Sequence, residues 1–290
     1  MRYAYYPGCS LEASAKDYDI SARAACTALG IALEEIPGWI CCGASSAHMT
    51  SELLALALPV KNLVLAQQQG LDIAVCCAAC YSRLMVANHA MSAGDDWRVE
   101  ATDQLVGSAY RGEVKVKHLL EIIIQDLGLD AIEGKVTQGL KGLKVASYYG
   151  CLLVRPPDIV HFDDPENPTT MDQLAAALGA EPVPWPYKTE CCGGSLSLTR
   201  TDVILKLARD ILQMAVDEGA ECLMVACPLC QANLDMRQAQ INKRYGTDFH
   251  VPVIYFTQLM GLAMGIRPDE LGLGKLVTDA NKLLAAKALV

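Results

Sequence analysis

Ten of the thirteen cysteines in this 290-residue chain follow one spacing that occurs twice. In each half, a single cysteine is followed by an adjacent pair that runs into glycine and, after 34 further residues, by a Cys-x-x-Cys motif. Because thiolates bind zinc and iron–sulfur groups, two identical sets of five thiols predict two equivalent sulfur-ligated metal sites. The first set consists of Cys9, Cys41, Cys42, Cys77 and Cys80, and the second set of Cys151, Cys191, Cys192, Cys227 and Cys230.

Disulfide bonds and buried structural thiols are the competing explanations. Disulfides need an oxidising compartment, and the first nine residues have no basic flank, apolar stretch or small-residue cleavage site, so we expect no signal peptide. Thirteen is also an odd number of cysteines. Buried thiols behave as small apolar side chains, which suits Cys26 and Cys222 but does not explain a duplicated five-position spacing. The pattern therefore favours metal ligation.

The number of thiols in each set bears on which metal is bound. A closed zinc site or a cubane iron–sulfur cluster uses four ligands, and each half offers five. Adjacent side chains diverge on an extended backbone, so a cysteine pair suits neighbouring irons better than one ion. We therefore expect a multi-iron cluster in each half, with zinc in one or both halves as the alternative. Cys76 has Ala226 as its counterpart and is interpreted as a spare thiol, and the roles of Cys26, Cys76 and Cys222 stay open.

The composition bounds the class of protein. At 290 residues the chain suits two fused units of about 145 residues each, which we place at residues 1–140 and 141–290. A formal net charge of −9 argues against a nucleic-acid partner, and no stretch is apolar enough to predict a transmembrane segment. We expect a cytoplasmic protein, since the cytoplasm keeps thiols reduced.

Strands alternate with helices in both halves, so the predicted fold class is α/β, with two pseudo-repeated βα units and parallel sheets. The first half is expected to contain a helix over residues 13–29 and a polar link between residues 87 and 114. Each cysteine group lies in a loop at the C-terminal end of a strand. Because these ends share one edge of a parallel sheet, we expect each set to converge there. The predicted strands cover residues 2–6, 31–36, 73–76, 114–116, 144–149, 182–185, 223–226 and 251–255.

The repeated Cys…Cys-Cys-Gly…Cys-x-x-Cys pattern resembles that of the cysteine-rich domain called CCG. Two copies in a chain of this size, the first opening with Tyr-Tyr-Pro-Gly-Cys at residues 5–9, are similar to the B subunits of the heterodisulfide reductases of methanogenic archaea. The resemblance implies a noncubane 4Fe-4S cluster in each half, held by the five cysteines of its set. It also implies a small-molecule substrate, the disulfide of coenzyme M and coenzyme B, which is reduced to two thiols.

The resemblance implies partner proteins as well. These are the C subunit of such reductases, with cubane iron–sulfur clusters, and the flavin-containing A subunit, within a larger hydrogenase or formate dehydrogenase complex. The chain lacks the Cys-x-x-Cys-x-x-Cys run of ferredoxin-type clusters, so its electrons are expected to come from another polypeptide. Related CCG proteins include iron–sulfur subunits of lactate, glycolate, succinate and fumarate oxidoreductases. An electron-transfer subunit of that kind is the alternative function.

Two metal sites would give the duplication a physical reason. Opening a disulfide takes two electrons, whereas iron–sulfur clusters usually transfer one at a time. We hypothesise that the substrate lies between the halves with one sulfur facing each site, so that no protein thiol attacks it. In the rival mechanism, a thioredoxin-like pair formed by Cys227 and Cys230 attacks the disulfide directly.

The substrate of the similar reductases is anionic, and an acidic protein must concentrate basic groups locally to bind it. Six basic residues lie near the cysteines, although a solvated surface charge is the ordinary explanation for each. The five histidines show no paired ligand spacing and receive no catalytic role. Catalytic and substrate-binding residues are left unassigned. The six basic residues are Lys16, Arg83, Arg155, Lys188, Arg200 and Arg237.

Overall fold

The structure is a computed structural model that describes residues 1–44, 46–94, 97–197 and 199–290. Within these residues, short segments rich in buried apolar side chains form two four-stranded sheets. The strands of the first sheet are β1 (Arg2–Tyr6), β2 (Ala32–Glu35), β3 (Ile73–Val75) and β4 (Val116–His118). Those of the second sheet are β5 (Lys144–Tyr148), β6 (Glu181–Pro182), β7 (Cys222–Val225) and β8 (Val253–Tyr255).

Both sheets are parallel and share one strand order. The first runs β2-β1-β3-β4 and the second β6-β5-β7-β8. The register aligns Tyr6 of β1 with Val75 of β3, and Tyr148 of β5 with Val225 of β7. The strand that opens each half thus lies beside the two strands that follow it in sequence. The predicted α/β class with parallel sheets and a pseudo-repeat is confirmed.

Helices connect the strands and cover the sheets. The residues between α7 and α8 form a π-helix, Ile122–Leu127, and two short 3-10 helices cover Gly194–Leu196 and Leu273–Lys275. The α-helices of the first half are α1 (Gly8–Glu12), α2 (Lys16–Ala28), α3 (Ala47–Thr50), α4 (Glu52–Gln69), α5 (Ala78–Ala93), α6 (Trp97–Val106), α7 (Leu119–Glu121) and α8 (Leu129–Glu133). Those of the second half are α9 (Thr170–Ala177), α10 (Thr201–Asp217), α11 (Pro228–Asp235), α12 (Gln238–Tyr245), α13 (Phe256–Ala263) and α14 (Asn281–Ala286).

Two elements of the first half differ from the prediction. The helix expected over residues 13–29 is present as α2, but a short helix that was not predicted, α1, precedes it, begins at Gly8 and contains Cys9. The expected polar link contains the end of α5 and all of α6. Trp97 and Leu105 of α6 are exposed while Val99 and Val106 are buried, so the helix has no clean apolar stripe that periodicity could detect.

The two halves share one hydrophobic core, in which α2 packs against α13. The rings of Tyr18 and Tyr255 stack with centroids 4.0 Å apart, and the hydroxyls of Ser21 and Thr257 lie 2.7 Å apart. The division at residue 140 stays a prediction. Among the described residues, every helix is too short or too polar to cross a membrane.

Candidate metal centre

Each half brings its cysteine set to one edge of its sheet. Cys9 follows β1, the pair Cys41 and Cys42 follows β2, and Cys77 and Cys80 follow β3. These three strands are neighbours, so their C-terminal ends place the groups side by side, where the strand order switches direction.

Several sulfurs within the sets lie close together. The Sγ atoms of Cys42 and Cys80 are 3.3 Å apart, and those of Cys192 and Cys230 are 3.4 Å apart. The Sγ atom of Cys151 lies 3.8 Å from that of Cys191. All thirteen cysteines lie in the described part of the chain, and each is a free thiol.

The first cysteine of each Cys-x-x-Cys motif lies at the start of a helix. Cys77 precedes α5 and Cys227 precedes α11, both with extended backbones, and Pro228 occupies the first turn of α11. Both cysteines occupy the N-cap position of their helix, and neither side chain accepts a capping hydrogen bond. A helix N-terminus stabilises negative charge, and the thiols of Cys230 and Cys77 also lower the pKa of Cys227, so Cys227 is favoured as a thiolate, whereas Cys227 raises the pKa of Cys77.

The glycine after each cysteine pair forms a tight turn. Gly43 and Gly193 have φ angles of +70° and +78°, which other residues adopt only with strain. Their N–H groups donate to the sulfurs of Cys41 and Cys191 over 3.4 and 3.3 Å. The turn therefore shapes the pair and supplies a hydrogen bond to its first sulfur.

A second pair of glycines leaves room for the sulfurs. Gly8 and Gly150 also have positive φ angles, +68° and +65°. A Cβ atom on Gly8 would lie 3.2 Å from the Cys80 sulfur, and one on Gly150 would lie 2.9 Å from the Cys230 sulfur. These glycines were not among the residues predicted from sequence, although the repeated Gly-Cys dipeptide was a signal for them.

Two equivalent tyrosines hold the segments before the cysteine pairs. The Tyr6 hydroxyl donates to the carbonyl of Ile40 over 2.8 Å, and the Tyr148 hydroxyl donates to that of Glu190 over 2.7 Å. Both rings are fully buried. Burial, with the nearby thiols of each set, raises the pKa of both phenols, so they stay protonated donors.

A hydrogen bond between two neighbouring thiols lowers the pKa of one and raises the pKa of the other. In the first set, hydrogen bonds from Cys41 and then Cys80 lower the pKa of Cys42 to about 3, while the same contact raises the pKa of Cys41. In the second set, the hydrogen bond from Cys151 lowers the pKa of Cys191 to about 6. Each set therefore holds a thiolate at neutral pH, which is the form that binds metal.

The Cys-x-x-Cys motifs of the two halves meet at the interface between the sheets. Cys227 raises the pKa of Cys77, and Cys230 and then Cys77 lower the pKa of Cys227, so thiols of the two sets face each other. Cys77 and Cys227 are 150 positions apart in the chain. Facing thiols are the arrangement that a ligand shared by both sets would require.

His118 lies beside these two motifs and joins the two halves. Its Nε2 is 2.8 Å from the carbonyl of Cys76 and 3.1 Å from that of Ala226, the residues that precede the two motifs. Its Nδ1 accepts the Leu120 N–H, so Nε2 is the donor. Burial lowers the pKa of His118 to about 4, which keeps the ring neutral at pH 7. No role for His118 was predicted from sequence, because its spacing offers no signal.

A cavity of about 230 Å³ opens on the second set. All five of its cysteines line the wall, together with residues of the first half that include His48 and Arg83. The same two side chains also line a neighbouring cavity of about 410 Å³ between α4, α5 and α6. The second set is therefore reached past side chains of the first half.

The six basic residues near the cysteines have different surroundings. Arg83 lines both cavities, and Lys16 is exposed at the start of α2. The other four have polar partners elsewhere. Lys188 is buried against Asp172, Arg155 contacts Glu166, Arg200 contacts Asp202, and Arg237 donates to the Ser197 carbonyl.

The three cysteines outside the sets are buried core thiols. Burial raises the pKa of Cys26 and of Cys222 to about 12. Burial also raises the pKa of Cys76, whose sulfur lies 3.7 Å from the Tyr5 hydroxyl. All three are therefore neutral at pH 7 and pack as small apolar side chains.

The donor chemistry of each set fits a thiolate-bound iron–sulfur group. The loops at each sheet edge carry five cysteines, a backbone N–H that donates to one of their sulfurs, and a glycine without a Cβ atom beside another. In the described part of the chain, no three His, Cys, Asp or Glu side chains are arranged around the position of one metal ion. Ligation by the ten cysteines stays a prediction.

Comparisons with known proteins identify the family. The sequence model of the CCG cysteine-rich domain matches residues 3–85 and 145–235, together more than half of the chain. The 8-methylmenaquinol:fumarate reductase membrane anchor subunit of Wolinella succinogenes is 35% identical, covering 97% of this chain and 98% of that protein. The B subunit of the ferredoxin/F(420)H(2)-dependent CoB-CoM heterodisulfide reductase of Methanosarcina acetivorans is 33% identical, covering 82% of this chain and 81% of that protein.

A solved structure supports the fold alone. A hypothetical protein from Helicobacter pylori superposes with a TM-score of 0.75 at 13% identity, covering 96% of this chain. This chain spans about half of that protein, 52% of its length. The duplicated cysteine pattern, the matched domain in both halves and the relatives agree: the chain belongs to the cysteine-rich CCG domain family, whose relatives include heterodisulfide reductase B subunits.

Proposed function

We propose that this protein is the catalytic subunit of a heterodisulfide reductase complex, in which the disulfide of coenzyme M and coenzyme B is reduced to two thiols. The observation that carries the proposal is the meeting of two equivalent thiol sets, where His118 joins the residues before both Cys-x-x-Cys motifs, beside a cavity lined by the whole second set. The similarity to heterodisulfide reductase B subunits supports it.

The cofactors in this proposal are two noncubane 4Fe-4S clusters, one held by each cysteine set. When bound, they would supply electrons and iron sites with affinity for thiolate sulfur. The chain's own residues present the sulfurs: Gly43 and Gly193 shape the cysteine pairs, and Tyr6 and Tyr148 fix the segments before them. Zinc in one half is the alternative that metal analysis would detect.

The reaction balances with two electrons and two protons. One S–S bond breaks, each sulfur gains one electron and one proton, and two thiols leave. The electrons come one at a time from an iron–sulfur partner of the C type, which is fed by a flavin protein of the A type within a hydrogenase or formate dehydrogenase complex. Solvent supplies the protons. The proposal places the complex in the cytoplasm and the division between the two CCG units at residue 140.

Metal analysis and spectroscopy of the full chain, purified without oxygen, test the proposal. We expect about eight irons and as many acid-labile sulfides per chain, from two four-iron clusters. Adding coenzyme M to the oxidised protein should produce a new paramagnetic signal. Two zinc ions with no iron, or activity that is insensitive to loss of iron, would instead favour a zinc scaffold or the thioredoxin-like mechanism of Cys227 and Cys230.

A second candidate is an electron-transfer subunit of a fumarate reductase-type complex. It is favoured by the 35% identity to the membrane anchor subunit of such a reductase along nearly the whole of both chains. Lactate- and glycolate-type oxidoreductases belong to the same alternative. The two candidates predict that different molecules change the spectrum of the bound iron. A spectral change on adding a menaquinol, with none on adding coenzyme M, would select the second candidate.

A further inference from the structure

We infer that Arg83 is the specificity-determining residue for an anionic group on the thiol or disulfide that reaches the second cysteine set, with His48 as its positioning residue. The inference rests on the proposed function, since it assigns a residue to the recognition of that substrate. The ligand chemistry is a small thiol or disulfide that carries a sulfonate, phosphate or carboxylate.

The position of Arg83 carries the first part of the argument. The side chain lines both the 230 Å³ cavity that holds the second set and the neighbouring 410 Å³ cavity. A ligand that occupies both cavities, with its sulfur beside the second set, would therefore lie against Arg83. The wall of the neighbouring cavity also includes aliphatic side chains such as Leu56 and Val86. Because these cannot hydrogen-bond, the charged groups of the wall would orient the polar end of a ligand.

The surroundings of Arg83 preserve its charge for a ligand. Its Nη2 lies 3.3 Å from Nδ1 of His48, so the contact in the cavity wall is with an imidazole ring rather than a carboxylate. The contact directs the guanidinium without neutralising it. The neighbouring cavity is also lined by His89 and by the carboxylate of Glu52.

The duplication supplies an independent argument. Arg83 follows Cys80 by three residues, and Asn233 follows Cys230 by three. Asn233 is buried and works within its own half, because its amide donates to the Cys192 carbonyl over 3.1 Å and accepts from the Ser197 hydroxyl over 3.0 Å. At the equivalent position the first half has a long cation that faces the other half's cysteines. Asn233 thus supports the cysteines of its own half, whereas Arg83, at the equivalent position of the first half, is suited to bind a ligand.

Three thiols of equal length provide the test. They are 2-mercaptoethanesulfonate, 2-mercaptoethanol and cysteamine, which end in a negative, a neutral and a positive group. Their dissociation constants are measured by titration calorimetry on the oxidised, iron-containing full chain. We expect the wild type to prefer the sulfonate, and Arg83→Gln to weaken sulfonate binding by about ten- to a hundredfold while 2-mercaptoethanol binding is unchanged.

Two further variants sharpen the outcome. Arg83→Lys should restore part of the sulfonate preference, because it returns the charge without the planar fork. Arg2 begins β1, at the edge of the sheet opposite the cysteines, and pairs with Glu34. The variant Arg2→Gln should bind all three thiols as the wild type does. A general effect of losing any arginine would appear in that control.

The outcomes separate the two proposals. If Arg83→Gln binds the sulfonate like the wild type, or loses all three thiols equally, the role of Arg83 is wrong while the proposed function stands. If the wild type binds all three thiols equally, the same conclusion follows. If the wild type binds none of them, the proposed function fails, and the inference fails with it.

Discussion

The first and second cysteine sets have the same backbone scaffold in different surroundings. Both follow strands of one order, both have glycines with positive φ angles beside the sulfurs, and both have a tyrosine that holds the segment before the cysteine pair. The second set lines a cavity together with residues of the other half, and Cys151 is partly buried where its counterpart Cys9 is exposed. The features that present the sulfurs are thus shared, and the features that control access to them differ.

This difference assigns separate tasks to the two halves. Residues that shape the thiol sites lie within the half that they serve, as Asn233 does for Cys192. Residues that line the approach come from the opposite half, as Arg83 and His48 do for the second set. Ligand access is therefore a property of the pair of domains rather than of either alone.

Removing one thiol from each set is the change with the largest expected effect. If both sets hold a cluster, Cys42→Ala and Cys192→Ala should each lose about half of the iron, roughly four of eight atoms per chain, and reduce disulfide turnover more than a hundredfold. Iron and sulfide analysis and coenzyme assays measure both. Cys222→Ala, which removes a buried thiol outside the sets, is the matched control. Full turnover with either set disrupted would contradict the two-site mechanism.

His118 should affect both sets together, because it joins the segments before both Cys-x-x-Cys motifs. Burial lowers its folded pKa to about 4, below the unfolded value of 6.5. Between these values the unfolded chain binds a proton that the folded chain does not, so the free energy of unfolding should rise as the pH rises from 4 to 6.5. At about 1.4 kcal/mol per pKa unit, the change is at most about 3.5 kcal/mol.

Denaturant unfolding of the full chain at several pH values measures this effect. In His118→Gln, whose amide can still donate a hydrogen bond but cannot titrate, this contribution should be absent, whereas the carboxylates common to both proteins contribute equally. A wild-type difference between pH 4 and 6.5 that the variant reproduces would mean that His118 is not the group responsible.

The convergence of each cysteine set could be predicted from sequence, because each cysteine group follows a short apolar segment and parallel strands end at one edge. The meeting of the two Cys-x-x-Cys motifs beside His118 could not, since it depends on how α2 packs against α13, through pairs such as Tyr18 and Tyr255. Arg83 was a candidate only by its nearness to Cys80. What distinguishes Arg83 from Arg155 or Arg200 is that it lines the cavities, and the sequence does not show which side chains line a cavity because side-chain packing determines it.

The glycines before the first cysteine of each set provide a graded test. Gly150→Ala and Gly8→Ala share the strain of a positive φ angle, about 1–2 kcal/mol. The new Cβ atom lies closer to a sulfur in the second set, 2.9 Å against 3.2 Å in the first, so Gly150→Ala should lose more stability and more iron. Gly142→Ala has a similar φ angle and open space around it, and it isolates the strain. Equal iron in all three variants would mean that the glycines serve the backbone turn alone.

Substitutions of Tyr6 and Tyr148 have the smallest expected effect, and they test whether the two halves hold their cysteine pairs equally. Tyr6→Phe and Tyr148→Phe each remove a hydrogen bond to the carbonyl before a cysteine pair, and each should cost about 1 kcal/mol, since a carbonyl loses its partner without any loss of packing. Denaturant unfolding measures the cost, and Tyr110→Phe, a buried tyrosine away from both sets, serves as the reference for losing a hydroxyl. Equal costs would mean that the duplication kept one scaffold in both halves. If only Tyr148→Phe is destabilised, the two sets differ in how their cysteine pairs are held as well as in how they are approached, and the division of tasks between the halves would no longer hold.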